Sequence, residues 1–205
     1  MAKEAYPFIL GALALCLLAF LIHPFLTIPF VLFLFFVLYF FRDPSRVIPQ
    51  EAGILVSPAD GVVVQVEELP SNPYLPVPVK KIAIFMSPFN VHVNRSPAEG
   101  TVEEVRYKSG KFLMAMKEEA SIDNEQNAVI LRLKEGSAIA FVQIAGFLAR
   151  RIVCYLKKGD SIGRGEKMGL IRFGSRVDVY LPLNFELKVS KGDVVVAGET
   201  VLARM

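Results

Sequence analysis

The chain has 205 residues, with 23 lysines and arginines against 20 aspartates and glutamates and a formal net charge of +3. That length allows one ordinary domain with an appendage, and so mild a basic excess argues against a nucleic-acid partner while being compatible with an anionic membrane surface. The two cysteines, Cys16 and Cys154, lie in separate apolar runs; they read as unpaired, buried small hydrophobes in a reducing compartment rather than as a disulfide framework.

Hydrophobic residues make up 53% of the chain, unevenly spread. From Ala5 to Phe41 there is no Asp, Glu, Lys or Arg, a run too long for a signal-peptide core. As one helix it would reach roughly 55 Å, against a hydrocarbon core of about 30 Å. His23-Pro24 falls near its middle. The sequence therefore predicts two short membrane helices, Pro7–Ile22 and Phe25–Phe41, folded as a hairpin, with Pro29 a kink in the second. Lys3 precedes the run and Arg42 and Arg46 follow it, so a hairpin puts both positive ends on the cytoplasmic side. Both helices are slightly short for spanning, so a re-entrant hairpin stays open. The competing readings are a single tilted helix and a buried soluble pair. Residues 1–41 are read as the anchor and 42–205 as a second domain, long enough to build its own core.

Asp43-Pro44 begins the link. Beyond it the runs are short and β-like. Gly53–Val56 leads into a turn at Ser57-Pro-Ala-Asp-Gly61, and alternation resumes over Val62–Val66. Pro70, Pro73, Pro76 and Pro78 mark a loop or flap. Lys81–Met86 is a buried strand candidate, and Val91–Tyr107 contains a second turn at Ser96–Gly100. Lys111–Ile122 is ambiguous, with room for a short helix. Val129–Leu133, Ala138–Ile144 and Ile152–Leu156 read as strands. Val177, Val179 and Leu181 then alternate with Asp178 and Tyr180, closed by Pro182. Gly174-Ser175 stands just before this strand; on its own the pair reads as a β-bulge with an idle serine. Lys158-Gly-Asp, four residues, Gly165-Glu recurs as Lys191-Gly-Asp, four residues, Gly198-Glu. Such echoed turns are structural and occur in lipoyl-carrier-like folds, but no lysine is placed as an attachment point. The fold class is mainly β: a compact barrel-sandwich-like domain with lipoyl-carrier-like hairpins, antiparallel beyond residue 50.

Four segments, in this order, carry a resemblance: Ser57-Pro-Ala-Asp-Gly61; Phe89-Asn-Val-His-Val-Asn-Arg-Ser-Pro-Ala-Glu-Gly100; Gly110-Lys-Phe-Leu-Met-Ala-Met116 with Asn124-Glu125; and the Gly174-Ser175 strand. Together they resemble the short form of the phosphatidylserine decarboxylases over nearly the whole chain. The resemblance implies a proenzyme in which Ser175 attacks the Gly174 carbonyl. The chain splits into 1–174 and 175–205, and Ser175 becomes a covalent pyruvoyl group, with no external cofactor and no metal. That group would form a Schiff base with the serine headgroup of a phospholipid and release carbon dioxide, giving phosphatidylethanolamine at the membrane. The family also suggests a homodimer.

The chemistry asks for particular residues. A serine hydroxyl needs a nearby base, and the negative charge displaced onto the Gly174 oxygen needs donors, such as backbone amides around residues 173–176. His23 lies in the apolar run, which leaves His92. Val91 and Val93 flank it, so in a strand its ring points away from theirs; the bland reading is a surface or satisfied core histidine. By family match, Asp60 is the carboxylate that orients His92, although Asp before Gly is also ordinary turn chemistry. Longer relatives resemble His-x-x-His before the Pro-x-x-Gly turn. Here His92 takes the first place and Arg95 the second, and Arg95 is no base at neutral pH but suits a carboxylate or phosphate. Asn124 is read as site lining or loop structure, followed by Gln126 where the family commonly has Arg. Phe89, with Phe112 and Leu113, is offered as an apolar lip for the acyl chains. Asp178 is left outside the catalytic set. Two other readings compete: a membrane-anchored serine hydrolase using Ser175, His92 and Asp60, which lacks a Gly-x-Ser-x-Gly elbow, and an uncleaved structural or carrier β-domain.

Overall fold

The computed structural model describes residues 1–114, 120–146, 151–172 and 175–205. Phe173, Gly174 and the Ala115-Met116 end of the third segment lie outside the described residues. The chain forms two compact units, Met1–Ser45 and Arg46–Met205.

In the first unit α1 spans Tyr6–Ile22 and α2 spans Ile28–Phe40, with a 3-10 turn at Pro24–Thr27 between them. Pro7 and Pro29 each sit in the first turn of a helix, where the missing N–H would have no intrahelical partner anyway. Pro29 therefore opens α2 instead of kinking it, and α2 begins at Ile28, not Phe25. His23 adopts an extended backbone (φ −164°, ψ 129°) and ends α1. The Ala2 N–H donates to the Phe41 carbonyl at 3.0 Å, and the rings of Phe8 and Phe41 stack at 5.5 Å. The two ends of the hairpin thus meet. Leu10, Leu17, Leu21, Leu32 and Phe35 point outward, and a helix apolar all round belongs either to a protein core or to a membrane span. Lys3–Ile22 is apolar and long enough to cross a membrane by length and composition; Pro24–Phe40 is shorter.

The second unit is a curled sheet with two small sheets beside it. Its strands are β1 (Ile54–Val56), β2 (Gly61–Leu69), β3 (Val79–Met86), β4 (Val93–Arg95), β5 (Gly100–Lys108), β6 (Gln126–Leu133) and β7 (Ala138–Ala145). They continue as β8 (Ile152–Cys154), β9 (Ser161–Ile162), β10 (Lys167–Ile171), β11 (Ser175–Pro182), β12 (Glu186–Leu187), β13 (Val194–Val195) and β14 (Val201–Arg204). A short helix, α3, covers Ala120–Asp123. The large sheet runs β13-β2-β3-β11-β7-β6-β5-β9, and the small ones β1-β14-β12 and β4-β10-β8. Every pairing among these strands is antiparallel. The fold class read from the sequence is the one observed. Some bounds differ, as β6 starts at Gln126 rather than Val129, while β4 and β5 flank the expected turn at Ser96.

Alternation along β11 explains its place. Val177, Val179 and Leu181 face the main core with Ile82, Ile84, Met86, Phe141 and Ala145. Arg176, Asp178 and Tyr180 face the opposite side. That side is also closed, because the proline-rich loop lays Leu75 and Tyr74 over Val142, Ile144 and Tyr180. Asn72 shapes the loop by accepting from the Tyr74 and Leu75 N–H groups, and the rings of Tyr74 and Tyr180 lie 4.9 Å apart. Burial of each Val, Leu or Ile side chain stabilises the fold by about 1.5–3 kcal/mol, and β11 collects such burial through Val177, Val179 and Leu181 on its core face. The cysteines are half-buried and free, not fully buried as the sequence suggested.

The internal echo is larger than the Lys-Gly-Asp repeat. The Ser57 and Ser96 hydroxyls donate to the Ala59 and Ala98 carbonyls, each at 2.7 Å. Val56 N–H donates to Pro97 O, and Arg95 N–H to Pro58 O, both at 2.9 Å. Gly198 N–H reaches Ser57 O and Gly165 N–H reaches Ser96 O, both at 2.8 Å. Gly165 and Gly198 share a left-handed backbone, φ 74° and 79°. Two matching turn systems, each reading Ser-Pro-Ala-acid-Gly, hold one another. A β-carbon at Gly61 would lie 2.1 Å from Phe85 O, and one at Gly100 2.3 Å from Arg132 O, so both turns need glycine to let a neighbouring strand close in.

Candidate active site

Ser175 is the first residue of β11 and is fully buried. It pairs with Met86 at the end of β3 and Ala145 at the end of β7. Its hydroxyl donates to the Met86 sulfur at 3.3 Å. Gly174 lies outside the described residues, as do any donors at residue 173.

Directly after Met86 comes a tight turn. Asn90 Oδ1 accepts from the N–H and the hydroxyl of Ser87, both at 2.8 Å, and Phe89 stands at the tip, 68% exposed. The turn delivers His92, which is only 2% exposed. Its Nδ1 lies 3.0 Å from the Asn90 carbonyl. A carbonyl only accepts, so Nδ1 carries the proton and Nε2 is the basic nitrogen of the neutral ring. The His92 carbonyl takes the N–H of Ile171 at 3.4 Å, in the strand leading toward Ser175. The structure thus brings His92 and Ser175 to the same end of β3.

Asp60 is placed otherwise. Its carboxylate takes both hydrogen bonds from Arg46, at 2.8 and 3.0 Å, and the Ala197 N–H at 2.8 Å. The contact that orients the His92 ring through Nδ1 comes from Asn90, not from Asp60. Arg95 is buried, donates to the Gly165 carbonyl at 2.9 Å, and packs against Gly198. Next to Asn94 in a strand, it points to the other side of β4. Asn124 ties the 111–114 segment to β7: its amide donates to Leu113 O and Ala145 O and accepts from Leu113 N–H. Gln126 accepts from the Tyr74 hydroxyl at 2.9 Å. Burial pushes the Cys154 thiol up, which makes it a poor nucleophile. Among the described residues no group of His, Cys, Asp or Glu is arranged to hold a metal. A cavity of about 430 Å³ lined by Ile54, Leu55, Glu99, Phe185 and Met205 includes none of these residues.

Two clusters escaped the sequence reading. On the core face, Gln143 donates to Asn94 at 2.9 Å and Asn127 donates to Gln143 at 3.2 Å, while the Asn94 amide nitrogen lies 3.6 Å from the Met86 sulfur. On the opposite face, Asp178 accepts from Arg176 at 2.5 Å and from Ser121 at 2.8 Å, with Lys81 at 3.7 Å. Arg176 also reaches Gln65 at 3.0 Å. The signal was available in both cases. Gln143 interrupts the apolar run Ala138–Ala145, and Arg176 and Asp178 are charges on either side of Val177 within a strand-like alternation.

A family model described as phosphatidylserine decarboxylase matches residues 33–203. A relative from Nitrosomonas europaea is 48% identical over 203 residues, covering 98% of this chain and 94% of its own length. Relatives from Ralstonia nicotianae (51% identical, 83% of this chain and 79% of its own) and Neisseria gonorrhoeae (49%, 100% and 78%) are similar too. All three are named phosphatidylserine decarboxylase proenzyme.

Proposed function

The chain belongs to the phosphatidylserine decarboxylase family, and from that premise we propose that it is a membrane-held proenzyme that cleaves itself between Gly174 and Ser175 and then decarboxylates phosphatidylserine. Ser175 Oγ bonds to the Gly174 carbonyl carbon as that carbon's bond to nitrogen breaks, giving an ester. His92 Nε2 takes the hydroxyl proton, and the freed nitrogen regains one. Loss of the Ser175 Cα proton expels the ester oxygen from Cβ. Gly174 leaves as a carboxylate, and residue 175 becomes dehydroalanine. Its imine tautomer takes up water and releases ammonia, leaving a pyruvoyl group.

The observation that carries the reading is the burial of Ser175 at the head of a strand paired on both sides. A new amino end at this place is out of water. An ammonium there would be costly to desolvate, whereas a neutral ketone is not; the site fits a pyruvoyl group and resists a simple hydrolytic end. The ketone supplies an electrophile for the headgroup amine and, once joined to it, an electron sink that lets the carboxylate carbon leave as carbon dioxide. His92 holds the proton delivered to the headgroup carbon that the carbon dioxide leaves behind. Phe89, exposed on the turn that carries His92, gives the acyl chains an apolar contact, and the α1–α2 hairpin keeps the domain at the bilayer on its cytoplasmic side.

Intact mass spectrometry tests this. The expected result is two fragments, 1–174 and 175–205, with a pyruvoyl group on the smaller, and an uncleaved Ser175→Ala control. A folded wild-type chain that stays whole and unmodified overturns the reading.

A further inference from the structure

Asn94 and Gln143 are fully buried and Asn127 nearly so. They form a chain of amides across β4, β7 and β6 that ends beside Ser175. Gln143 Nε2 donates to Asn94 Oδ1 at 2.9 Å, which fixes which way the Asn94 amide faces. Asn127 Nδ2 donates to Gln143 Oε1 at 3.2 Å and holds Gln143 in turn. With Oδ1 committed, Asn94 presents its NH2 to the Met86 sulfur at 3.6 Å. Ser175 donates its hydroxyl to the same sulfur at 3.3 Å. A thioether is a weak acceptor, and an amide N–H fully out of water is costly without a good one. In the uncleaved chain two strong donors therefore converge on one weak acceptor, at the residue whose chemistry is set to change.

Resting on the reading above, we propose that Asn94 is the hydrogen-bond donor to the carbonyl oxygen formed on residue 175, with Gln143 the positioning residue that aims it. The Ser175 hydroxyl oxygen departs with Gly174, which removes one of the two donors from Met86 and vacates the space beside it. Released from its preceding peptide, residue 175 turns about its Cα–C bond, and its new oxygen meets the Asn94 amide. That oxygen gains negative charge as the headgroup amine adds to the carbonyl carbon, before it leaves as water, and a donor placed there beforehand is worth about 10²–10³ in rate. The amide also polarises the carbonyl toward the incoming amine.

The test uses full-length protein in detergent, made with serine carrying carbon-13 at Cα so that the ketone stretch is identified by its isotope shift. Asn94→Ala is expected to cleave into two chains, to move the ketone band to higher frequency, and to lose about 10²–10³ in kcat. Gln143→Ala, which keeps the Asn94 amide but not its aim, is expected to move the band less in the same direction, and it decides the question if Asn94→Ala does not fold. A cleaved variant with the wild-type ketone band overturns the inference. So does a folded Asn94→Ala that stays uncleaved, since the amide would then serve the earlier step. A wild-type protein with no labelled ketone overturns the underlying reading itself, which keeps the two failures apart.

Discussion

At the scale of single residues, the site depends on which group faces which. His92 is oriented by a backbone carbonyl, so His92→Ala should fold and remain a single chain on a denaturing gel. Asp60 is expected to act differently. Its carboxylate joins Arg46 to the Ala197 turn, and Asp60→Asn should cost about 1–3 kcal/mol of stability, as a partly buried charged hydrogen bond is worth, read as a lower denaturant midpoint. A fully stable Asp60→Asn chain that does not cleave would instead return Asp60 to the proton chemistry. Tyr74 offers a pH test. Burial, reinforced by the charge of Asp178, pushes its hydroxyl from 10.0 up to about 12. The folded state then holds a proton that the unfolded chain has lost. The resulting stability is complete below pH 10 and disappears as pH rises to 12. Tyr74→Phe should flatten that part of the curve of midpoint against pH, compared with wild type. At this scale Ser175 and His92 were singled out through the family resemblance, since a Gly-Ser pair alone reads as a bulge, whereas the engagement of Asp60 with Arg46 was not legible, since a turn aspartate carries no mark of its partner.

Elements show what periodicity conveys and what it hides. The alternation of Val177, Val179 and Leu181 was enough to place β11 with one face on the core. It could not reveal that the other face is closed as well, because that depends on where the proline-rich loop lies. Closure is what makes Asp178 a buried charge, held by Arg176, Ser121 and Lys81. Asp178→Asn leaves Arg176 buried without its carboxylate and should cost about 3–5 kcal/mol, read as a lower denaturant midpoint in the uncleavable Ser175→Ala background. The two Ser-Pro-Ala turns make a second case. Only the Lys-Gly-Asp half of the repeat stood out in the sequence; Asp60 opposite Glu99 concealed the rest. Gly100→Ala should cost about 1–3 kcal/mol or more by overpacking against Arg132 O. Gly61→Ala should cost a similar amount against Phe85 O, measured by the same midpoint.

For the whole molecule, the uncharged run from Ala5 to Phe41 was legible as a segment apart from the charged remainder, and the chain divides into Met1–Ser45 and Arg46–Met205. The hairpin's internal geometry was less so: a proline in an apolar run reads equally as a kink or a start, and only the described backbone places Pro29 in a first turn. Removal of residues 1–45 should release the remaining domain from membranes on flotation while leaving cleavage intact; a truncated domain that still floats with vesicles would assign binding to its own surface. The position of β11 has one more consequence. It lies between β3 and β7 in the middle of the large sheet, while β14, near the other end of the segment 175–205, lies between β1 and β12. On the proposed cleavage, those strands become a separate chain threaded through its partner. Before the cut, refolding is a first-order search within one chain. Afterward it is an encounter between two, so recovery from denaturant should rise with protein concentration for the cleaved form and be independent of it for Ser175→Ala. The molecule would keep, as a record of its single maturation, a shape it could no longer reach unaided at high dilution.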